Sequence, residues 1–92
     1  MVETRGCAWC VSWNREIGPI YPLTVEGKRF PLRRVEFADV QAAVPGLAKP
    51  VAVIPTFLVV TCGRESGRIV GYPGEDFFWG LLADAIRTAP SC

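Results

Sequence analysis

Two cysteines with two residues between them, in Gly6-Cys7-Ala8-Trp9-Cys10, stand where a short β-type run at Val2, Glu3 and Thr4 gives way to a helix-like segment. No other feature limits the possible folds as much. In the first turn of a helix, the first sulfur of such a pair lies at the helix N-terminus, exposed and facing the positive end of the dipole. The second is tucked beside it. This arrangement suits a dithiol/disulfide couple. As a structural staple it is poor, because closing so short a loop removes roughly 2 kcal/mol of unfolded-chain entropy, whereas a link from Cys7 to a distant cysteine would remove roughly 4.

The remaining inventory narrows the chemistry. The chain has four cysteines and no histidine. A structural zinc site wants two ligand pairs and only one is present, Cys62 and Cys92 being solitary, so no metal and no other cofactor is expected. Cys-His nucleophilic catalysis is excluded within this chain because no imidazole can act as base. With 92 residues, half of them hydrophobic, the chain reads as a single folded domain over 1–92. Ten basic residues against nine acidic leave a net charge of +1. Arg33-Arg34 is too short a basic cluster to make nucleic acid a partner. No apolar run approaches the roughly 18 residues of a membrane span. Met1 stands almost inside the first strand, which reads as a mature or trimmed product whose targeting segment has been removed.

The order of elements follows from periodicity and breakers. Met1 to Thr4 is a strand, and Arg5-Gly6 is the turn into a helix running from Ala8 to about Tyr21, which Pro19 should kink or end. Thr24 to Lys28 reads as a polar connection and Leu32 to Phe37 as a second strand, so the first third is a βαβ unit with parallel strands. Asp39 is placed to cap a short helix through Gln41, Ala42 and Ala43, stopped by Pro45-Gly46. In the apolar run Val51 to Val60, Pro55 cannot lie inside a central strand, so the strand begins at or just after it. Thr61 to Gly67 reads as a turn and Arg68 to Gly71 as the hairpin partner. Pro73-Gly74-Glu75-Asp76 opens a last helix with an apolar stripe of Phe77, Phe78, Leu81, Leu82, Ala85 and Ile86.

This order, together with Cys7-x-x-Cys10 and Ile54-Pro55-Thr56 about 45 residues later, resembles the thioredoxin fold over essentially the whole chain: an α/β domain with a central mixed four-stranded sheet flanked by helices, βαβ-α-ββα. Gly6 to Cys10, the Pro-Leu-Arg-Arg-Val run at 31–35, Pro55-Thr56-Phe57 and Gly71-Tyr72-Pro73-Gly74-Glu75-Asp76-Phe77-Phe78-Trp79-Gly80-Leu81-Leu82 are similar to the SoxS-type periplasmic thioredoxins of bacterial sulfur-oxidation clusters. The resemblance implies a monomeric periplasmic thiol-disulfide oxidoreductase that keeps a thiol-bearing sulfur-carrier protein reduced and is recharged by a membrane electron donor. It further implies a cis Ile54-Pro55 bond facing the dithiol. The dipeptide between the cysteines is Ala-Trp rather than Gly-Pro. The acid that thioredoxins carry six residues before the first cysteine would fall at Met1, leaving Glu3 as the nearest carboxylate.

On this reading Cys7 is the nucleophile and Cys10 the resolving thiol. A free thiol is only about 3 per cent thiolate at neutral pH, and a helix terminus supplies about one pKa unit, so a hydrogen bond to the Cys7 sulfur must supply the balance. Trp9 faces solvent as an apolar contact for a partner, while Trp13 belongs to the core. Ile54, Pro55 and Thr56 form the substrate cleft, the Ile54 backbone pairing with an extended segment by strand addition. Cys62 and Cys92 are dispensable for the chemistry. A glutathione-dependent, glutaredoxin-like oxidoreductase and a non-catalytic binding or regulatory module fit the same fold.

Overall fold

The dithiol segment is fed by a strand of only two residues, β1 (Val2–Glu3), in the computed structural model, which describes residues 1–92. Gly6 turns the chain into α1 (Ala8–Glu16). A 3-10 turn (Tyr21–Leu23) and a short helix α2 (Val25–Arg29) lead to β2 (Val35–Glu36), and a second 3-10 turn (Phe37–Asp39) to α3 (Val40–Ala43). The hairpin β3 (Thr56–Thr61) and β4 (Arg64–Val70) and the final helix α4 (Glu75–Arg87) complete the chain. The sheet order is β2-β1-β3-β4, with β1 parallel to β2 and antiparallel to β3, and β3 antiparallel to β4. This is the mixed four-stranded α/β sheet expected from the sequence.

Alternate side chains of β3 serve two cores, as the two-residue period of a strand requires. On one face Phe57 and Ile69 meet Trp13 and Ile17 of the α1 region and Phe78 and Leu82 of α4. Trp13 is fully buried and lies 5.2 Å from the Phe57 ring and 5.8 Å from the Phe78 ring, edge-on to the latter. On the other face Val2, Val40, Val44 and Val51 form a smaller cluster, against which Leu58 and Ile54 pack.

Several boundaries differ from the sequence reading. α1 stops at Glu16 rather than near Tyr21, since Pro19 has no N–H to donate and disfavours helical geometry in Gly18; Ile17 and Gly18 both close onto the Trp13 carbonyl. Residues 24–28 are not a connection but most of α2: the Thr24 hydroxyl caps the Gly27 N–H at 3.0 Å, Glu26 sits in the first turn and Lys28 and Arg29 in the last. Gly27 misleads because it is there for close packing; a Cβ would come within 1.8 Å of the Tyr21 carbonyl oxygen. β2 is two residues rather than six because β1 offers only Val2 and Glu3 to pair with Val35 and Glu36. The Asp39 side chain makes no capping bond to α3.

The hairpin turn is Cys62-Gly63 alone, with Thr61 paired to Arg64. Both turn residues have positive φ, 56° and 74°, the geometry that matches strand twist in two-residue hairpins. In α4 the buried stripe is Phe78 and Leu82, while Phe77 is 70% exposed and Leu81 also faces water. Trp79 instead turns inward to stack on Tyr21 at 6.3 Å.

Candidate functional site

Val2 of β1 pairs with Thr56 of β3 in antiparallel register, so the chain leaving β1 toward Cys7 and the chain entering β3 from Pro55 lie at the same end of the sheet. Topology therefore brings together the two motifs that are 45 residues apart in sequence. The Ile54–Pro55 peptide bond is cis. Ile54 and Cys7, both half-buried, pack against the core cluster that contains Cys10.

Cys7 occupies the N-cap of α1 with extended backbone, and its Sγ accepts the Cys10 N–H at 3.1 Å. The Cys7 carbonyl accepts the Val11 N–H at 3.2 Å. No acidic side chain stands in the first turn to oppose negative charge at this sulfur. Cys7 and Cys10 are joined as a disulfide, with Cα atoms 5.2 Å apart. Cys10 is 4% exposed and Cys7 half-buried, so Cys7 is the more accessible of the two. Arg5 is exposed.

The expected cleft residues divide. Trp9 is 63% exposed, and Ile54 is partly accessible. Pro55 and Thr56 are fully buried, and the Thr56 hydroxyl donates to the Val53 carbonyl at 2.5 Å. Thr56 thus shapes the segment from within rather than offering its side chain to a ligand. The Glu3 carboxylate is engaged away from the dithiol: both its oxygens accept from Arg34 Nη1, at 3.2 and 3.1 Å. The largest cavity, about 510 Å³, is lined by residues such as Leu32, Val35, Leu58 and Val60 beside the short β1, and none of the dithiol or Ile54–Thr56 residues borders it.

Cys62 and Cys92, solitary in the sequence, are paired here. Their Cα atoms lie 5.6 Å apart, and the disulfide ties the chain end to the hairpin turn. That turn is at the far end of β3 from Pro55. No group of three or more His, Cys, Asp or Glu side chains is placed to hold a metal ion.

One interaction near the site has no signal in the sequence. Tyr72, buried in the loop after β4, donates its hydroxyl to Glu16 Oε1 at the end of α1 at 2.6 Å, across 56 residues of chain. Burial and this bond to a carboxylate push the phenol well above its ordinary range.

The crystal structure of the periplasmic thioredoxin SoxS from Paracoccus pantotrophus, in its reduced form, is 48% identical to this chain. The match covers 95% of this chain and 92% of that one, with a TM-score of 0.87. The chain belongs to the thioredoxin superfamily, in its SoxS-type branch. No family model and no curated protein matches it. For this thioredoxin, kinship and the disulfide-bonded Cys7–Cys10 pair at a helix N-terminus together support thiol-disulfide oxidoreductase chemistry. No helix is long and apolar enough to cross a membrane.

Proposed function

We propose that the protein is a periplasmic, monomeric dithiol reductase acting on a disulfide or thiol adduct of a sulfur-carrier protein. The observation that carries the reading is Cys7 Sγ at the N-cap of α1, accepting the Cys10 N–H while Cys10 itself is buried. In the reduced protein that N–H and the helix terminus stabilise negative charge on Cys7 Sγ. The Cys7 thiolate attacks one sulfur of the substrate disulfide, forming a Cys7–substrate mixed disulfide and expelling the other sulfur as thiolate. Cys10, deprotonated, then attacks Cys7 Sγ and releases the second substrate thiolate. Two electrons have passed to the substrate, and the Cys7–Cys10 disulfide remains for an external dithiol, expected to be a membrane electron donor, to reduce.

Trp9 gives the partner an apolar contact beside the sulfurs. An extended segment of the partner lies along Ile54 by backbone pairing, with buried Pro55 and Thr56 fixing the course of that backbone. The direction of flow is a matter of potential, where about 30 mV corresponds to 1.4 kcal/mol. Titration of the Cys7/Cys10 couple against glutathione measures it.

The test is capture. Cys10→Ser should stall the reaction after its first half and hold the natural partner on Cys7 as a reducible band in a non-reducing gel of a periplasmic extract, identified by mass. Cys7→Ser should hold nothing, because Cys10 is shielded. Equal capture by both variants would overturn the assignment of roles, and capture of glutathione alone would replace the protein substrate with a glutathione-dependent reaction.

A further inference from the structure

The two halves of the proposed site sit on elements that share no strand or helix: the dithiol on α1 and the Ile54–Pro55 segment on the approach to β3. Two successive residues touch both. The Gly71 N–H donates to the Pro55 carbonyl at 2.8 Å, and the hydroxyl of the next residue, Tyr72, donates to Glu16 Oε1 at 2.6 Å. Gly71 has φ +80°, which turns the chain out of β4 and delivers Tyr72 into the core. There the Tyr72 ring packs edge-on against Phe78, with centroids 6.1 Å apart, in the cluster that contains Cys10. A hydroxyl-carboxylate bond this short is charge-assisted and directional, and one end of it is in the core.

We infer that the Gly71-Tyr72 dipeptide is a brace that holds the Pro55 segment in register with the dithiol helix, and that Tyr72 is a positioning residue for binding of an extended substrate. The inference rests on the oxidoreductase reading. Strand addition at Ile54 requires its backbone to stay at one distance and angle from Cys7, because the backbone hydrogen bonds that hold an extended segment weaken steeply when donor and acceptor move out of line. Both Pro55 and Tyr72 are buried. Their effect is on where the Ile54 backbone lies.

Tyr72→Phe keeps the ring and its packing and removes only the donor. Glu16→Gln keeps an acceptor oxygen at the same place, and Glu16→Ala removes it. Hydrogen exchange of the Gly71 amide reads the brace directly and does not depend on activity. It is expected to quicken about tenfold or more in Tyr72→Phe and Glu16→Ala, while Glu16→Gln stays close to wild type. In steady-state reduction of insulin, Tyr72→Phe and Glu16→Ala should raise KM several-fold at nearly constant kcat, with Glu16→Gln restoring KM. A mere loss of fold would depress kcat through the fraction of active protein and leave KM alone. Unchanged Gly71 exchange, or exchange that quickens with no change in KM, would overturn the inference. A wild-type protein that reduces neither insulin nor Ellman's reagent would overturn the oxidoreductase reading and with it the positioning role, and Gly71 exchange would still show whether the brace exists.

Discussion

Removing the Cys62–Cys92 link separates the two disulfides by kind. The bond closes a loop with a sequence separation of 30, against 3 for Cys7–Cys10. In the chain-entropy account a 30-residue loop removes about 12 cal/mol/K from the unfolded chain, or about 3.6 kcal/mol at 25 °C, while the short loop gives roughly 2. For a domain of this size each kcal/mol moves the midpoint by about 4–8 °C, so Cys62→Ser with Cys92→Ser should lower Tm by roughly 15–30 °C. Cys7→Ser with Cys10→Ser should lower it by clearly less. The assay is thermal unfolding of the oxidised proteins followed by circular dichroism, paired with a thiol count under denaturing conditions. Insulin reduction by the first double variant, measured well below its Tm, should stay within about twofold of wild type. The two pairs stand at opposite ends of β3, six residues or about 20 Å apart, too far for a sulfur-to-sulfur relay within one molecule. A melt unchanged to within a few degrees would refute the staple, as would two free thiols in the oxidised wild type. Loss of activity in a folded variant would refute the two-cysteine mechanism.

Three further outcomes are expected. Glu65 and Arg68 form a largely buried pair, with Nε 2.5 Å from Oε2, and Arg68 also donates to the Lys49 carbonyl at 2.8 Å; hydrogen bonding from Arg68 holds the Glu65 carboxyl below its ordinary value. The stability this lends is complete above the ordinary carboxyl pKa near 4.3 and is lost as pH falls through the lower folded value, so the Tm advantage of wild type over Glu65→Gln should shrink from pH 5 to pH 2. An advantage that is constant or grows on acidification would refute it. Phe78→Ala should cost about 3–5 kcal/mol in a urea melt, since Phe78 is fully buried with Phe57, Trp13, Tyr72 and Trp79 around it, and a cost under 1 kcal/mol would mean the core is wrongly placed. Trp9→Ala should leave stability within about 0.5 kcal/mol and raise KM for a protein disulfide; a large fall in Tm would make Trp9 a packing residue.

Legibility in the sequence followed the range of the interaction. Cys7 at a helix start, Pro55 ahead of β3 and Trp13 in the core are set by local chemistry, by a missing N–H or by periodicity, and each was readable. α2 is hidden in the sequence because Gly27 signals a loop, whereas it serves a close approach to the Tyr21 backbone that only the folded chain reveals. Phe77 and Leu81 fit a helical stripe as well as Phe78 does, and only the position of the sheet decides which side of α4 is wet. The Cys62–Cys92 pair, the Glu3–Arg34 pair and the Tyr72–Glu16 bond span 30, 31 and 56 residues, and nothing local to any of the six residues announces its partner.

Because Cys92 is fastened to the Cys62-Gly63 turn, the segment that follows α4 has a fixed address on the molecule. Whatever surface meets the molecule at Cys92 meets it at the hairpin end of the sheet, the opposite end of β3 from the Cys7–Cys10 pair. Crowding or contact at the hairpin end therefore leaves the Cys7–Cys10 sulfurs open to the medium.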